Sequence, residues 1–304
     1  MKFLIILICL QAQAFARFTA TDLATLVTRS ELRDSDALIV WHNGKVLHSF
    51  NKNPETLYSI QSVTKSLTAL TVQCLGKNNP DILETKNLFP EWVGTPKGDI
   101  TLRMLLQMSS GIQDPVDFWQ HKEFYTYSVD LPLVTNPGWA FSYANSSTML
   151  VSKWILDTTK EPLSAHLQKC FFDPMGIKDW KISKDVEGNE VASGGLYLKA
   201  DDLMKFGIML MQNGFYEGKR YLSQNQVWDL RSDYLRDGNG YGLGFWTWGN
   251  NIYYMEGFLG QFVFLVPRQN LVVLRLRNPL NMQWSEENDL NWFHEFPWFL
   301  NDLL

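Results

Sequence analysis

The sequence predicts an α+β fold in which an antiparallel sheet is flanked by helices and a mainly helical lobe is inserted between the strands. Two apolar runs at residues 37–50 alternate around Asn43-Gly44, the strongest short-range signal for a hairpin. Between residues 62 and 168 the apolar spacing is helical, with long connections. Short apolar strands return over residues 244–277, so strands from both halves of the chain enclose the helices.

The individual elements follow from local patterns. An opening helix is predicted at 18–32, ahead of the hairpin, and further helices are predicted at 100–108 and 147–158. The returning strands are short apolar runs bounded by turn residues, at 244–248, 252–255, 261–266 and 271–277. The aromatic stretch 286–304 predicts a final helix, broken or kinked near Pro297.

Ser62-Val63-Thr64-Lys65 places a hydroxyl and an amine one helical turn apart. Residues three apart in a helix are neighbours on one face, and the apolar residues that follow recur at helical spacing. A serine hydroxyl is a weak nucleophile until a neighbouring group takes its proton, which a desolvated lysine can do. Ser62 would also lie at a helix N-terminus, where free N–H groups favour negative charge.

The chain contains a second pair with this spacing, Ser49 and Lys52. That pair closes the predicted hairpin and runs into Asn53-Pro54, and proline disfavours helix in the residue before it. The spacing alone is therefore a weak signal, and the helical context favours Ser62.

Tyr143-Ala144-Asn145 is the only Tyr-x-Asn in the sequence and follows a turn at Pro137-Gly138. In extended backbone, residues two apart point the same way, so the phenol and the carboxamide would reach one site. The alternative is a turn tyrosine that hydrogen-bonds to backbone.

Gly257 and Gly260 lie in Glu256-Gly257-Phe258-Leu259-Gly260-Gln261, ahead of the apolar run 262–266. Glycines at the start of a strand permit a ligand to approach the backbone closely. The alternative is an ordinary bulge before a core strand.

Together these segments resemble the serine hydrolases related to class C β-lactamases and penicillin-binding proteins, in the esterase-like or 6-aminohexanoate-dimer-hydrolase-like branch. Further similar segments follow in the family's order: Leu105-Leu106-Gln107-Met108-Ser109-Ser110-Gly111, Pro137-Gly138, Asp173-Pro174-Met175-Gly176, Ser193-Gly194-Gly195-Leu196, Asp201-Asp202-Leu203 and Phe206-Gly207. The resemblance covers about residues 36 to 277 and implies a β-lactamase/transpeptidase-like fold with a helical lobe at about 66–190.

The resemblance also implies roles. Ser62 would attack a carbonyl, Lys65 would accept its proton, and Tyr143 would relay a proton to the leaving group. The backbone N–H groups of Ser62 and Phe258 would form the oxyanion hole, because acyl transfer places negative charge on the carbonyl oxygen. Substrate-binding positions would be Asn145, which would orient Lys65 or hold a substrate carbonyl, together with Glu256 and Gly257.

Three residues depart from the family pattern. Met255 and Glu256 occupy the first two positions of the third motif, the first of which is usually a cation in penicillin-recognising enzymes. Met108 stands where the family usually has a histidine. The change at the third motif argues against recognition of substrates that carry a carboxylate, such as penicillins.

The first 14 residues have a charged start, a short apolar stretch and a small-residue end, which predicts a signal peptide cleaved after Ala14, with cleavage after Ala16 as the alternative. We therefore expect a single catalytic domain at 15–304, exported to the periplasm or secreted, with no stable membrane anchor. The remaining cysteines, Cys74 and Cys170, could pair outside the cytoplasm. Cys74 falls at a core position of the predicted helix, so the sequence favours two free thiols.

Composition limits the other classes of function. A net charge of −5 argues against nucleic acid or anionic membrane as a partner. The five histidines lack metal-ligand spacing and no phosphate-binding loop is present, so we expect neither metal nor cofactor. The absence of a Gly-x-Ser-x-Gly motif disfavours an α/β-hydrolase.

Several of the twelve tryptophans and one phenylalanine lie near the motif segments and would line an apolar cleft or pack in the core: Trp119, Trp139, Trp246, Trp248 and Phe258. The sequence therefore predicts a serine hydrolase that acts on small esters or simple amides through an acyl-enzyme. The alternatives are a penicillin-recognising enzyme, either a β-lactamase or a D-Ala-D-Ala carboxypeptidase, and a non-catalytic binding protein that retains the fold. The oligomeric state stays open.

Overall fold

The apolar strands from both halves of the chain meet in one antiparallel sheet. The computed structural model describes residues 18–32, 34–233, 240–248 and 252–278. The strands are Ala37–His42 (β1), Lys45–Asn51 (β2), Tyr58–Ser59 (β3), Trp180–Ile182 (β4), Leu196–Leu198 (β5), Phe215–Tyr216 (β6), Lys219–Arg220 (β7), Trp246–Trp248 (β8), Ile252–Gly257 (β9), Gln261–Val266 (β10) and Leu271–Leu276 (β11). The main sheet has the order β2-β1-β11-β10-β9-β8, and smaller sheets join β3-β5-β4 and β6-β7.

The helices lie mostly between β3 and β8. They are Ala20–Leu32 (α1), Val63–Leu75 (α2), Leu102–Leu106 (α3), Tyr125–Asp130 (α4), Asn145–Thr159 (α5), Leu163–Leu167 (α6), Ala200–Met211 (α7) and Gln224–Leu230 (α8). A single π-helical turn, Gln168–Phe172, follows α6. No helix in the described ranges is both long and apolar enough to span a bilayer.

The central strands of the main sheet, β1, β11, β10 and β9, are buried on both faces, which explains their continuous apolar runs. Met255 and Val263 point into the large core shared with α2 and α7. Their neighbours Tyr254 and Phe264 point to the opposite face, where α1 packs. The alternation of side chains along each strand thus builds one core on each side of the sheet.

Helix α2 lies in the middle of the large core, with its residues buried from Val63 to Gln73. Its first turn packs against the chain at Gly244, where a Cβ would lie 2.9 Å from the Lys65 carbonyl oxygen. The Ser66 hydroxyl donates to the Gly244 carbonyl at the same contact. The N-terminal end of α2 is therefore fixed from several sides.

A disulfide bond joins Cys74 and Cys170, so the prediction of two free thiols is wrong. Cys74 lies one residue before the end of α2 and is only partly buried, and Cys170 lies in the π-helical turn after α6. Because α2 packs against α6, the two sulfurs meet although 96 positions separate them. The bond links the C-terminal end of α2 to the helical lobe.

The predicted α+β architecture, the opening helix and the hairpin at Asn43-Gly44 are confirmed, as are the helices and strands predicted up to residue 277, with small shifts at their ends. Gly260 lies in the turn directly before β10, ahead of the strand predicted at 261–266, while Gly257 ends β9. The predicted signal peptide and the predicted final helix at 286–304 lie outside the described residues.

Candidate active site

Ser62 caps the N-terminus of α2. The preceding residue, Gln61, has a φ of +51°, a left-handed conformation that β-branched and bulky residues rarely adopt. This turn brings the chain sharply from β3 into the helix, and the half-buried Ser62 side chain lies where the free N–H groups of the first helical turn are. A hydroxyl at this position is well placed for a reaction that develops negative charge.

The Lys65 amine lies one turn along α2 and has three polar neighbours. Its Nζ atom is 3.0 Å from Ser62 Oγ, 2.9 Å from Asn145 Oδ1 and 2.6 Å from the Ser193 carbonyl oxygen. The side chain is 1% exposed. Burial lowers the pKa of Lys65 to about 7, and the opposing charge of Asp114 keeps it from falling further.

The Tyr143 ring covers the Lys65 amine, with Nζ 4.9 Å from the ring centroid. The phenol lies beside Ser62, so Lys65 and Tyr143 both reach the same hydroxyl. Burial raises the pKa of Tyr143 far above its usual value, and the charges of Glu256 and Asp114 add to the effect while the nearby Ser62 hydroxyl opposes it. Tyr143 therefore remains a protonated phenol at neutral pH and can act as a proton donor.

Aromatic side chains hold the Tyr143 ring in place. Trp246 stacks on it with centroids 5.8 Å apart, and Tyr241 meets its edge. Met108, which stands where the resemblance leads one to expect histidine, has a buried thioether that accepts the Ala144 N–H at 3.4 Å. Met108 supports the backbone beside Tyr143 through this bond.

Asp114 is part of this cluster and was not found by sequence reasoning. Its Oδ2 accepts from Asn145 Nδ2 at 3.2 Å, and its Oδ1 accepts from the Ser146 backbone N–H at 3.0 Å. Asn145 starts α5 directly after the extended residue Ala144, and Tyr143 and Asn145 both lie beside Lys65. Asn145 contacts Lys65 through its carbonyl oxygen and Asp114 through its amide nitrogen.

The turn between β9 and β10 passes close to Ser62. A Cβ on Gly257 would lie 2.4 Å from the Ile60 carbonyl oxygen and 3.0 Å from Gln61 Cβ, so only glycine fits there. The backbone of Phe258, the next residue, therefore runs beside the segment that contains Ser62. The half-exposed Phe258 side chain points toward solvent.

Two buried side chains hold this turn from the inside. The Gln261 amide donates to the carbonyls of Phe258 and Leu259 at 3.4 and 3.5 Å, and Arg275 Nη1 donates to the Gly260 carbonyl at 2.9 Å. Leu259 has a φ of +62°, an unfavourable conformation for leucine. The bonds to three successive carbonyls stabilise that conformation.

Met255 and Glu256 take opposite directions at the end of β9. The Met255 side chain is fully buried in the large core and cannot offer a group to a ligand. The Glu256 carboxylate lies near the phenols of Tyr143 and Tyr241, and its charge contributes to their raised pKa values after the larger effect of burial. The third motif thus presents an acidic group on the side of the phenol.

The second Ser-x-x-Lys pair lacks this geometry. Ser49 is exposed on strand β2, and Lys52 forms an ion pair with Asp36 at 3.0 Å. Among the aromatic residues near the motifs, Trp246 packs on Tyr143 and Trp248 packs against the second core. Trp119 and Trp139 are largely exposed.

The geometry brings together Ser62, Lys65, Tyr143 and Asn145, and the turn with Gly257 and Phe258 lies next to them. Asp114 and the Ser193 carbonyl also contact this cluster, and the sequence patterns point to neither of them. Asp114 sits in a loop without periodicity, 31 positions before Asn145, so no local pattern could connect them. Ser193 belongs to one of the segments that resemble the family, but its contact with Lys65 is made by the backbone carbonyl. Every residue type has that carbonyl, so the sequence cannot indicate the contact.

Comparison with known proteins places this geometry in a family. A family model described as Beta-lactamase matches residues 23–291. The 6-aminohexanoate-dimer hydrolase of Paenarthrobacter ureafaciens is 24% identical over 319 aligned positions, which cover 90% of this chain and 79% of the relative.

Solved structures share the fold. A candidate 6-aminohexanoate-dimer hydrolase from Bacillus anthracis superposes with a TM-score of 0.76 at 22% identity, covering 91% of this chain and 82% of that one. A β-lactamase from Mycobacterium bovis superposes with a TM-score of 0.67 at 18% identity, covering 93% and 98%. The predicted β-lactamase/transpeptidase-like fold is confirmed, and the chain belongs to the β-lactamase family and is a serine hydrolase.

Proposed function

We propose that the enzyme hydrolyses neutral esters or simple amides through an acyl-enzyme at Ser62. The single observation that carries this proposal is the surroundings of the Lys65 amine. A neutral amine has two hydrogens and one lone pair. Asn145 Oδ1 and the Ser193 carbonyl accept the two hydrogens, so the lone pair faces the Ser62 hydroxyl at 3.0 Å.

In this mechanism neutral Lys65 takes the proton of Ser62 as Oγ attacks the substrate carbonyl carbon. The N–H groups of Ser62 and Phe258 stabilise the oxyanion of the tetrahedral intermediate, and losing one such donor typically costs about 3 to 4 kcal/mol of barrier. Tyr143 gives its proton to the leaving oxygen or nitrogen as the bond to the carbonyl carbon breaks. A water molecule then attacks the acyl-enzyme and gives a proton to the Tyr143 phenolate. As the carboxylic acid leaves, protonated Lys65 returns its proton to Ser62 Oγ, which restores the free enzyme.

The charges around the site support a neutral substrate. Glu256 lies on the side of Tyr143 and Asp114 lies behind Asn145, so the charged side chains that accompany Lys65 are acidic. Met255 is buried and offers no cation to a substrate carboxylate. The relative named as a 6-aminohexanoate-dimer hydrolase supports hydrolysis of a small molecule.

We also propose that the enzyme works outside the cytoplasm. The Cys74–Cys170 disulfide supports this location, because such bonds persist in oxidising compartments.

Turnover of four chromogenic substrates tests the proposed activity: p-nitrophenyl acetate, p-nitrophenyl butyrate, a simple p-nitroanilide and a cephalosporin. The wild type should hydrolyse the esters fastest and the cephalosporin poorly, and Ser62→Ala should lose all turnover while Ser49→Ala keeps it. Ser49→Ala is the matched control because it removes the serine of the other Ser-x-x-Lys pair.

Three results would each favour a different conclusion. Efficient cephalosporin turnover by the wild type would favour a penicillin-recognising enzyme. No turnover of any substrate, with a folded protein and no covalent label from a fluorophosphonate, would favour a non-catalytic binding protein. Ester turnover that survives Ser62→Ala would contradict the mechanism itself.

A further inference from the structure

Asp114 occupies a loop after α3 and joins two parts of the site. One carboxylate oxygen accepts from the Ser146 backbone N–H at 3.0 Å, in the first turn of α5. The other accepts from Asn145 Nδ2 at 3.2 Å. An anion at a helix N-terminus is favourable, so the first contact alone would be an ordinary structural role. The second contact reaches the reacting groups.

The bond to Asp114 fixes which way the Asn145 amide points. With Nδ2 held by the carboxylate, Oδ1 faces Lys65 Nζ at 2.9 Å. The reversed amide would set its oxygen against the Asp114 carboxylate and its NH₂ against the Lys65 amine, losing both bonds. The Lys65 amine, the Asn145 amide and the Asp114 carboxylate therefore form a chain of hydrogen bonds. The amide dipole and the carboxylate charge both favour a positive charge on Lys65.

Several charged and titratable groups surround Lys65, and Asp114 is the one whose negative charge acts on the amine. Tyr143 covers the amine but stays protonated, and Tyr241, on the segment that packs against the first turn of α2, has its pKa raised well above the usual value, first by burial. Glu256, on β9, acts on these two phenols. Asp114 is the carboxylate whose charge raises the pKa of Lys65 against the larger effect of burial.

We propose that Asp114 is a positioning residue that holds Asn145 against Lys65 and keeps the buried amine a strong enough base to take the Ser62 proton. This inference rests on the proposed function and concerns the regulation of the same site by pH. When Lys65 accepts the proton it becomes an ammonium in a low-dielectric site, and the aligned amide and the carboxylate stabilise that charge. Without Asp114 the amine would be neutral over a wider pH range but a weaker base.

The test compares Asp114→Asn, Asp114→Glu and the control Asp99→Asn. Asp99 is 74% exposed and pairs with Lys86 on the surface, so its substitution makes the same change in net charge away from the site. One readout is the pH dependence of kcat/KM for p-nitrophenyl butyrate. The other is the NMR titration of the Lys65 side chain in the Ser62→Ala background, which requires no turnover.

Asp114→Asn should lower the midpoint of both titrations by about one pH unit, at the low end of the effect of a single nearby charge. Its plateau kcat/KM should fall roughly tenfold, since general-base catalysis weakens with the base. Asp114→Glu should restore the midpoint, and Asp99→Asn should leave midpoint and plateau unchanged. An unchanged Lys65 midpoint in Asp114→Asn, together with a lowered plateau, would show a merely structural role and overturn the inference.

A double-mutant cycle tests the same contacts independently of the titrations, with the fold of each variant checked by circular dichroism. In an Asn145→Ser background the chain from Lys65 to Asp114 is already broken, so adding Asp114→Asn should change kcat/KM little. Additive losses in that cycle would contradict the inference. The proposed function could also fail separately. If the NMR midpoint of Lys65 shifts in Asp114→Asn as expected, but variants of Lys65 still turn over the ester, the proposed function is refuted while the link between Asp114 and Lys65 stands.

Discussion

The pH dependence of the wild-type enzyme follows from the burial of Lys65. Burial lowers the pKa of this amine from 10.5 to about 7, with Asp114 opposing the effect. About half of the molecules then carry the neutral, active amine at pH 7, roughly a tenth at pH 6 and roughly a hundredth at pH 5. A solvent-exposed lysine would be neutral in fewer than about one molecule in a thousand at pH 7.

The assay is kcat/KM for p-nitrophenyl butyrate across the acid and neutral range, with the fold checked by circular dichroism at each pH. Activity should rise about tenfold per pH unit below neutrality and level off above it. No decline is expected just above neutrality, because burial keeps the pKa of Tyr143 far above its usual value. Lys65→Arg should be inactive at every pH, because a guanidinium keeps its proton.

A flat profile from about pH 5 to pH 8 would refute this reasoning, and so would an active Lys65→Arg variant. A loss of activity at acid pH that does not recover on return to neutral pH would point to unfolding and would have to be excluded first.

Further predictions concern the disulfide, the third motif and the turn beside Ser62. Replacing Cys74 and Cys170 by alanine should lower the free energy of unfolding by about 4.7 kcal/mol, the loop-closure value for a bond that spans 96 positions, as measured by denaturant titration. Glu256→Gln should raise kcat/KM for the anionic cephalosporin relative to the butyrate ester, since like charges about 4 Å apart repel by roughly 1 to 4 kcal/mol. An unchanged ratio of the two kcat/KM values would show that the Glu256 carboxylate lies away from the substrate. Gln261→Leu should lower kcat for the butyrate ester with little change in KM, because the carbonyls of the Phe258 turn lose their buried donor, at a cost of about 1 to 3 kcal/mol. A change in KM alone would count against that role.

The helix that carries Ser62 and Lys65 could be predicted because its signal is local. Ser62 and Lys65 are one turn apart in a segment whose apolar residues repeat at helical spacing, and that pattern alone specifies which side chains meet. Only the resemblance could assign Tyr143 and Asn145 to the same site as Ser62 and Lys65. About eighty positions of sequence separate the two pairs, and no local pattern reaches that far.

Other features depend on tertiary contacts that no local pattern contains. Cys74 fits the apolar face of α2, and its pairing with Cys170 becomes visible only when α6 packs beside it. The turn at Phe258 lacks the Asn-Gly or Asp-Gly pair that usually signals a hairpin. The left-handed backbone conformation in this turn is adopted by Leu259, a residue type that does not indicate it. The contact between Asp114 and Asn145 exists only because the fold brings the two residues together.

Trapping the acyl-enzyme tests the central claim most directly. The wild type, Ser62→Ala and Ser49→Ala would each be incubated with a slowly hydrolysed ester, quenched in acid and analysed by intact mass and peptide mapping. We predict one added acyl group in the wild type and in Ser49→Ala, located on the peptide that contains Ser62, and none in a folded Ser62→Ala. A label on any other residue, or a Ser62→Ala variant that still turns over the ester, would contradict the account.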